Sequence, residues 1–291
     1  MPLDALTSAE ISLPATPDAT QVRERIAVLS RHVDLVGLTD NHAGKPRMSP
    51  LAAVALAREQ GVATVVHVSC RDRNRLALRS QVIGAAALGS EGILCLYGDP
   101  VPSVPRVRDY TTTRLLAEAR DWAAPNDLAL GCVADPFRPD VEAELALLGR
   151  KVAAGADFAQ TQMVFDPAGL VAFLEQAAEG GKLGDCRVHA SVPVIRTARM
   201  VEILNQTLPS PLPERAAAQI GAGGGVDLAV ETAMTLAGLD RVHALHVMSW
   251  GSEEQAGQVA AAFRAARGAP PERTGGSGGP PGWSPGGPAR A

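Results

Sequence analysis

Short apolar runs alternate along this chain with longer stretches of helical periodicity, eight times over, and that alternation leaves few folds open. The apolar runs are Ala9–Leu13, Asp34–Leu38, Thr64–Ser69, Gly92–Leu96, Leu128–Val133, Phe158–Gln162, Val188–Val192 and Ala244–Met248. Most are apolar along their whole length instead of every second residue, the pattern of parallel strands covered on both faces. Parallel neighbours need long crossovers, and the intervening segments supply them.

Gln21–His32 places Val22, Ile26 and Leu29 on one stripe, and Pro50–Gln60 starts behind Ser49 with proline at its first helical position. Arg75–Leu88, Thr112–Ala124, Asp140–Ala154, Pro167–Glu179, Ala198–Thr207 and Glu253–Arg267 read in the same way. The stretch Pro211–Leu239 exceeds one crossover and is expected to hold two helices around Gly221–Gly225. Eight strands, each followed by a helix, predict an α/β chain closed into a (β/α)₈ TIM barrel over residues 1–267. An open doubly wound sheet shares the alternation, but no G-x-G-x-x-G follows the first strand. From Gly268 to Ala291 glycine, proline, serine and arginine dominate, which predicts a disordered tail.

Hydrophobic residues form 46% of the chain and aromatics only 3%, so the core is built from Ala, Val, Leu and Ile. Few rings leave little surface for stacking bases, and a net charge of −4 without a basic run gives no reason to expect nucleic acid or a membrane surface. Residues Met1–Ser12 carry Asp4 and Glu10 and lack the order of a signal peptide. No apolar stretch approaches the roughly 20 residues that span a bilayer. Cys70, Cys95, Cys132 and Cys186 show no metal-ligand spacing, and three sit in or beside apolar runs as small hydrophobes. The expectation is a cytoplasmic enzyme with reduced thiols and no metal, with homo-oligomer formation left open.

In a barrel the chemistry lies at the carboxyl ends of the strands. Those ends carry Thr39 to His42, His67, Ser69 to Asn74, Gly98-Asp99-Pro100, Asp135, Thr161-Gln162 and Arg196. Asp99 is equally readable as a turn residue, since Gly-Asp-Pro is good turn chemistry. Glu10 interrupts an apolar strand; pointed inward, burial would raise its pKa towards that of a general acid. On the residues alone, an outward glutamate on a frayed first strand is the simpler reading. Gln162 offers both donor and acceptor to a heteroaromatic amide edge, or simply caps its strand. His67 serves equally as a core histidine, and Lys151 suits a helix end whatever the function.

Taken in order, several blocks resemble the methylenetetrahydrofolate reductase family. They are Ser69-Cys70-Arg71-Asp72-Arg73-Asn74-Arg75, Gly84 to Gly89, Leu94-Cys95-Leu96-Tyr97-Gly98-Asp99-Pro100, and Arg150-Lys151-Val152 with Gly155 to Phe158. Thr161-Gln162, Val164-Phe165-Asp166, Thr39-Asp40-Asn41 and Arg47 to Pro50 complete the series. The resemblance implies reduction of 5,10-methylenetetrahydrofolate to 5-methyltetrahydrofolate with hydride from NADH or NADPH, through FAD or directly. It also leaves a folate-binding subunit of a methyl-transfer complex as the alternative. Glu-Ile-Ser-Leu-Pro looks like the family's Glu-x-x-Pro-Pro, so the resemblance makes Glu10 the acid on the folate nitrogen. It places Asp99 beside the reacting rings and gives Gln162 and Thr197 to the substrate. It assigns Thr39, His67, Tyr97, Gly98, Asp135, Glu144 and Lys151 to the cofactor. Tyr97 and Asp135 depart from residues typical of the flavin pocket, Leu147 from an asparagine and Thr197 from an aromatic, the pattern expected of flavin-free members.

Overall fold

A computed structural model describes residues 5–99, 104–207 and 212–270. The residues assigned to a disordered tail lie outside this range from 271 onward.

Eight parallel strands close into a barrel in sequence order: β1 (Thr7–Ile11), β2 (Leu35–Leu38), β3 (Thr64–Ser69), β4 (Gly92–Leu96), β5 (Ala129–Ala134), β6 (Phe158–Met163), β7 (Arg187–Pro193) and β8 (Ala244–Met248). Between and around them run α1 (Ala19–Leu29), α2 (Pro50–Glu59), α3 (Arg75–Ala87), α4 (Thr112–Ala123), α5 (Val141–Ala153), α6 (Pro167–Glu179) and α7 (Ala198–Thr207). The remaining helices are α8 (Glu214–Gly221), α9 (Gly225–Ala237) and α10 (Glu253–Ala266). The predicted pair about Gly221–Gly225 is α8 and α9. The first strand begins earlier than expected, because Ser8 pairs with Leu35 on one side and His246 on the other. It ends before Ser12, whose carbonyl accepts from Arg25 Nη1.

Helix starts follow local chemistry. The side chains of Asp18, Asn74, Thr111, Asp140 and Asp166 each accept a first-turn N–H, and proline opens α2 and α6. At the amino end of the barrel, Asp34 accepts from the N–H groups of Leu6 and Thr7, both at 3.0 Å, and pairs with Arg264 of α10 at 2.8 Å. That half-buried network ties the closing helix to the seam between β1 and β2.

Strand alternation separates two cores. Outward residues such as Ile11, Leu38, Val66, Ile93, Leu130, Val188 and Val247 pack under the helices. Cys95 and Cys132 are register partners in this layer, and all four cysteines are buried free thiols. Burial pushes Cys70 up to about 12 and Cys132 to about 11, so both are inert at neutral pH. Inward, Leu35, Val65, Leu94, Ala129 and Phe158 form an apolar plug. Above the plug the inward positions turn polar. Among the described residues no helix is long and apolar enough to cross a membrane.

Gly131 makes room for the plug: a Cβ there would lie 2.2 Å from Cζ of Phe158. Gly131→Ala is expected to destabilise the fold by about 1–3 kcal/mol through overpacking. Adding Phe158→Leu should recover most of that loss in a denaturant titration. Independent, additive effects of the two substitutions would contradict this packing.

Candidate active site

The polar layer of the barrel centres on a buried carboxylate. Glu10 projects inward from β1 and is only 5% exposed, so the outward, frayed reading is overturned. Its neighbour across β2 is Gly37, where a Cβ would come within 3.2 Å of Glu10 Cβ and 3.4 Å of His246 Cε1. The absent side chain is what admits a glutamate and an imidazole side by side.

An ionised carboxylate only accepts, so His246 Nε2 carries the hydrogen and donates to Glu10 Oε2 at 3.4 Å. The other ring nitrogen, Nδ1, lies 2.9 Å from Ser8 Oγ on β1. His67 Nε2 stands 4.0 Å from the same carboxylate oxygen. Farther round the barrel His189 stacks on Phe158, with centroids 4.7 Å apart, next to Gln160.

These contacts correct one expectation. Burial does act to raise the Glu10 pKa, but the His246 hydrogen bond and the electrostatic pull of the surrounding imidazoles outweigh it and hold the group down at about 2. Glu10 is therefore ionised at rest. Burial pushes His67 down to about 4, against the pull of Glu10, and His189 down to about 3. Both imidazoles are neutral near pH 7.

The mouth is built by the loops after β2, β3 and β4. Asp40 is buried and accepts from Ser69 N at 2.9 Å, Ser69 Oγ at 2.7 Å and Arg73 Nη2 at 3.0 Å. Thr39 Oγ1 donates to the Ile11 carbonyl at 3.1 Å. Asp99 is exposed at the rim and accepts from Ala43 N at 2.8 Å. That bond holds a short 3₁₀ turn, His42–Gly44, in which Asn41 and Ala43 take left-handed φ values of 46° and 58°. The geometry thus joins Glu10 to His246 and His67, and Asp99 to the β2 loop. Tyr97 is 39% exposed with its hydroxyl 3.4 Å from Arg106, and Gly98, at φ 100°, passes close to Ser69. Gln162 is half-buried at the end of β6, where the register shifts, and its Oε1 accepts from Met163 N. Thr197 is exposed and caps α7 through Met200 N.

The side chains assigned to the cofactor by resemblance are mostly engaged in internal contacts. Glu144 is buried, accepting from Asp135 N at 3.1 Å and Arg138 Nη1 at 2.9 Å. Lys151 is buried and donates to the Val133 carbonyl at 2.5 Å. Thr39 is committed to Ile11, and His67 faces Glu10. Asp135, half-buried with its pKa raised chiefly by burial, accepts from Phe137 N. Most of these polar atoms hold loops to strands. Among the described residues no group of three or more His, Cys, Asp or Glu is placed to hold a metal ion.

A family model for methylenetetrahydrofolate reductase matches residues 3–262 of the chain. The chain belongs to the methylenetetrahydrofolate reductase family. It is 28% identical over 153 residues to a probable methylenetetrahydrofolate reductase (NADPH) of Caenorhabditis elegans. That alignment takes in 50% of this chain and 23% of the relative, so the chain spans about a quarter of the relative's length. An uncharacterized protein from Clostridium thermocellum that binds two copies of 5-methyl-5,6,7,8-tetrahydrofolic acid matches the fold with TM-score 0.67. The identity is 14%, covering 91% of this chain and 96% of that one. A dihydropteroate synthase from Xanthomonas albilineans in complex with 7,8-dihydropteroate gives TM-score 0.52 at 15% identity, over 92% and 95%. At such identities these likenesses establish the barrel.

Of the residues gathered in the polar layer, sequence reasoning singled out Glu10 and His67 but missed His246, Ser8 and His189. Strand alternation carried a signal for them. Ser8 and Glu10 share a face, and so do His246 and Met248, their partners across the seam.

The neutral histidines and ionised glutamate make the fold acid-sensitive. Unfolded histidine binds a proton near 6.5 and these do not, so stability is full above that value and falls as the pH drops towards 4 and then 3. Glu10 acts in the same direction, its contribution fading from about 4.5 towards 2. Thermal melts from about pH 7 down to about pH 4 should show a falling Tm, with a flatter slope in the His67→Asn/His189→Asn protein. Identical slopes would contradict the neutral buried imidazoles.

Proposed function

We propose that this protein reduces 5,10-methylenetetrahydrofolate to 5-methyltetrahydrofolate with hydride from NADH or NADPH. The observation that carries the reading is Glu10: an inward, water-shielded carboxylate at the position that matches the family's acid, in a chain the family model covers almost throughout. The nicotinamide donor accords with the NADPH named for the nematode relative, and a folate substrate with the ligand of the clostridial barrel.

Glu10 takes up a proton from solvent as the folate enters, and delivers it to the amine nitrogen of the five-membered ring. The C–N bond breaks towards that nitrogen and leaves a cationic iminium carbon, which hydride then reduces to the methyl group. Closed off from water by the plug below and the substrate above, a proton transfer of this kind is worth roughly 10²–10⁴-fold in rate. Asp99, at the rim, supplies a fixed negative charge that favours the iminium over the neutral ring. Gln162, at the end of β6, offers an amide for the pterin edge, and Thr197 follows the end of β7. Because the flavin-assigned side chains are spent on internal contacts, hydride passes directly from the nicotinamide, and no step is routed through FAD.

Purified protein should oxidise NADH or NADPH only when 5,10-methylenetetrahydrofolate is present, and added FAD should not change the rate. No turnover with either nucleotide would overturn the reading. Glu10→Gln should lose at least about a hundredfold in turnover while still binding the folate. Asp99→Asn keeps an acceptor for Ala43 N and removes only the charge, so it should cost about tenfold or more in kcat with the loop intact. Full activity in either variant contradicts the assigned role.

A further inference from the structure

At the end of the barrel opposite the mouth, the amino ends of β1, β7 and β8 surround a cavity of about 620 Å³. That volume falls within the range of small-molecule sites. Part of its wall is apolar, made of Leu6, Leu183, Val188 and Val242. The charged lining consists of Arg187, Arg241 and Arg267 with Asp185 and Asp240. Three guanidinium groups therefore meet two carboxylates, and both carboxylates are exposed.

Two of the lining donors are held in place by the main chain. Nδ1 of His243 accepts from Val188 N at 3.0 Å, so the hydrogen of the neutral ring sits on Nε2. Arg267 donates through Nη2 to the carbonyls of Leu239 and Val242, and its Cζ lies 5.3 Å from the ring centroid of Phe263. With the guanidinium fixed there, its buried Nε meets no acceptor among the described residues. A buried N–H without a partner is costly, and an acceptor is what it lacks. The cations also act on one another through the cavity. Burial first, then the charges of Arg187 and Arg267, push His243 below its ordinary pKa, against an opposing pull from the Arg241 main chain. An anion placed among these groups offsets that repulsion.

We propose that this cavity is a second ligand site and takes a small organic anion, an oxyanion head of phosphate or carboxylate on an apolar or planar body. The head lies against Arg241, Arg267 and the Nε2–H of His243, where planar guanidinium groups suit two oxygens at once. The body rests on Leu6, Val188 and Val242, and the two aspartates accept from amino or hydroxyl groups that it carries. Such a ligand ties the start of β8 and the end of α10 to β7, and binding only the folded chain it raises stability. The site takes no part in hydride transfer and does not rest on the reductase reading. The plug of Leu35, Val65, Leu94, Ala129 and Phe158 stands between it and the polar layer.

The test follows His243 by NMR of the full chain, labelled at histidine, while inorganic phosphate, citrate or adenosine monophosphate is added at constant pH and ionic strength. Adenosine is the control that has a body but no oxyanion. At least one of the three anions should shift the His243 ring signals saturably and raise Tm, and adenosine should do neither. A response to the two phosphates alone names phosphate as the head, and a response to citrate alone names carboxylate; either supports the site. Arg241→Glu, at an exposed position, should fold as wild type and weaken binding about tenfold or more. His243→Asn keeps an acceptor for Val188 N and removes the Nε2–H, so the rise in Tm should shrink. Unmoved His243 signals with all three anions overturn the proposal, as does saturable binding that Arg241→Glu leaves unchanged.

Discussion

The arrangement of this barrel depends on one contact, the hydrogen bond from His246 to Glu10. A carboxylate inside a barrel of parallel strands is expensive to desolvate, and a lone one would take up a proton or be excluded. The imidazole on β8, brought to β1 by closure of the sheet, makes an ionised Glu10 tolerable. Gly37 supplies the space and Ser8 the orientation. The apolar plug below keeps water from entering beneath, and His67 and His189 fill the rest of the layer as neutral rings. Remove the closure between β1 and β8, and neither the charge nor the space for it survives.

The mouth is organised on a different principle. Its loops are held by their own side chains: Asp40 by Ser69 and Arg73, Asp99 by Ala43, Glu144 by Arg138, and Lys151 by the Val133 carbonyl. These contacts fasten the loops to the strand ends.

Much of this was legible in the sequence, and the exceptions have physical causes. The strands and most helix starts follow from apolar runs and from caps such as Asn74 and Asp140, which are local. The first strand was misplaced by two residues because its limits are set by pairing with β2 and β8, not by its own composition. Glu10 could be picked out as a carboxylate in an apolar strand, yet its ionisation was misjudged, because the group that lowers its pKa lies 236 residues away. His246 was missed, since nothing near it in sequence shows that it meets a carboxylate. Asp99 was legible as a strand-end acid, but its bond to Ala43 N depends on a left-handed turn that no residue between Asn41 and Gly44 dictates.

The central claim is that Glu10 stands ionised inside the barrel because His246 donates to it. Infrared difference spectra between wild type and Glu10→Gln, recorded from mildly acidic to mildly alkaline pH, read that carboxyl group directly. The bands lost on substitution should be those of a carboxylate across the whole range, and a protonated carboxyl should appear in the His246→Gln background as the pH falls. A protonated Glu10 in the wild-type protein near neutral pH would contradict the account.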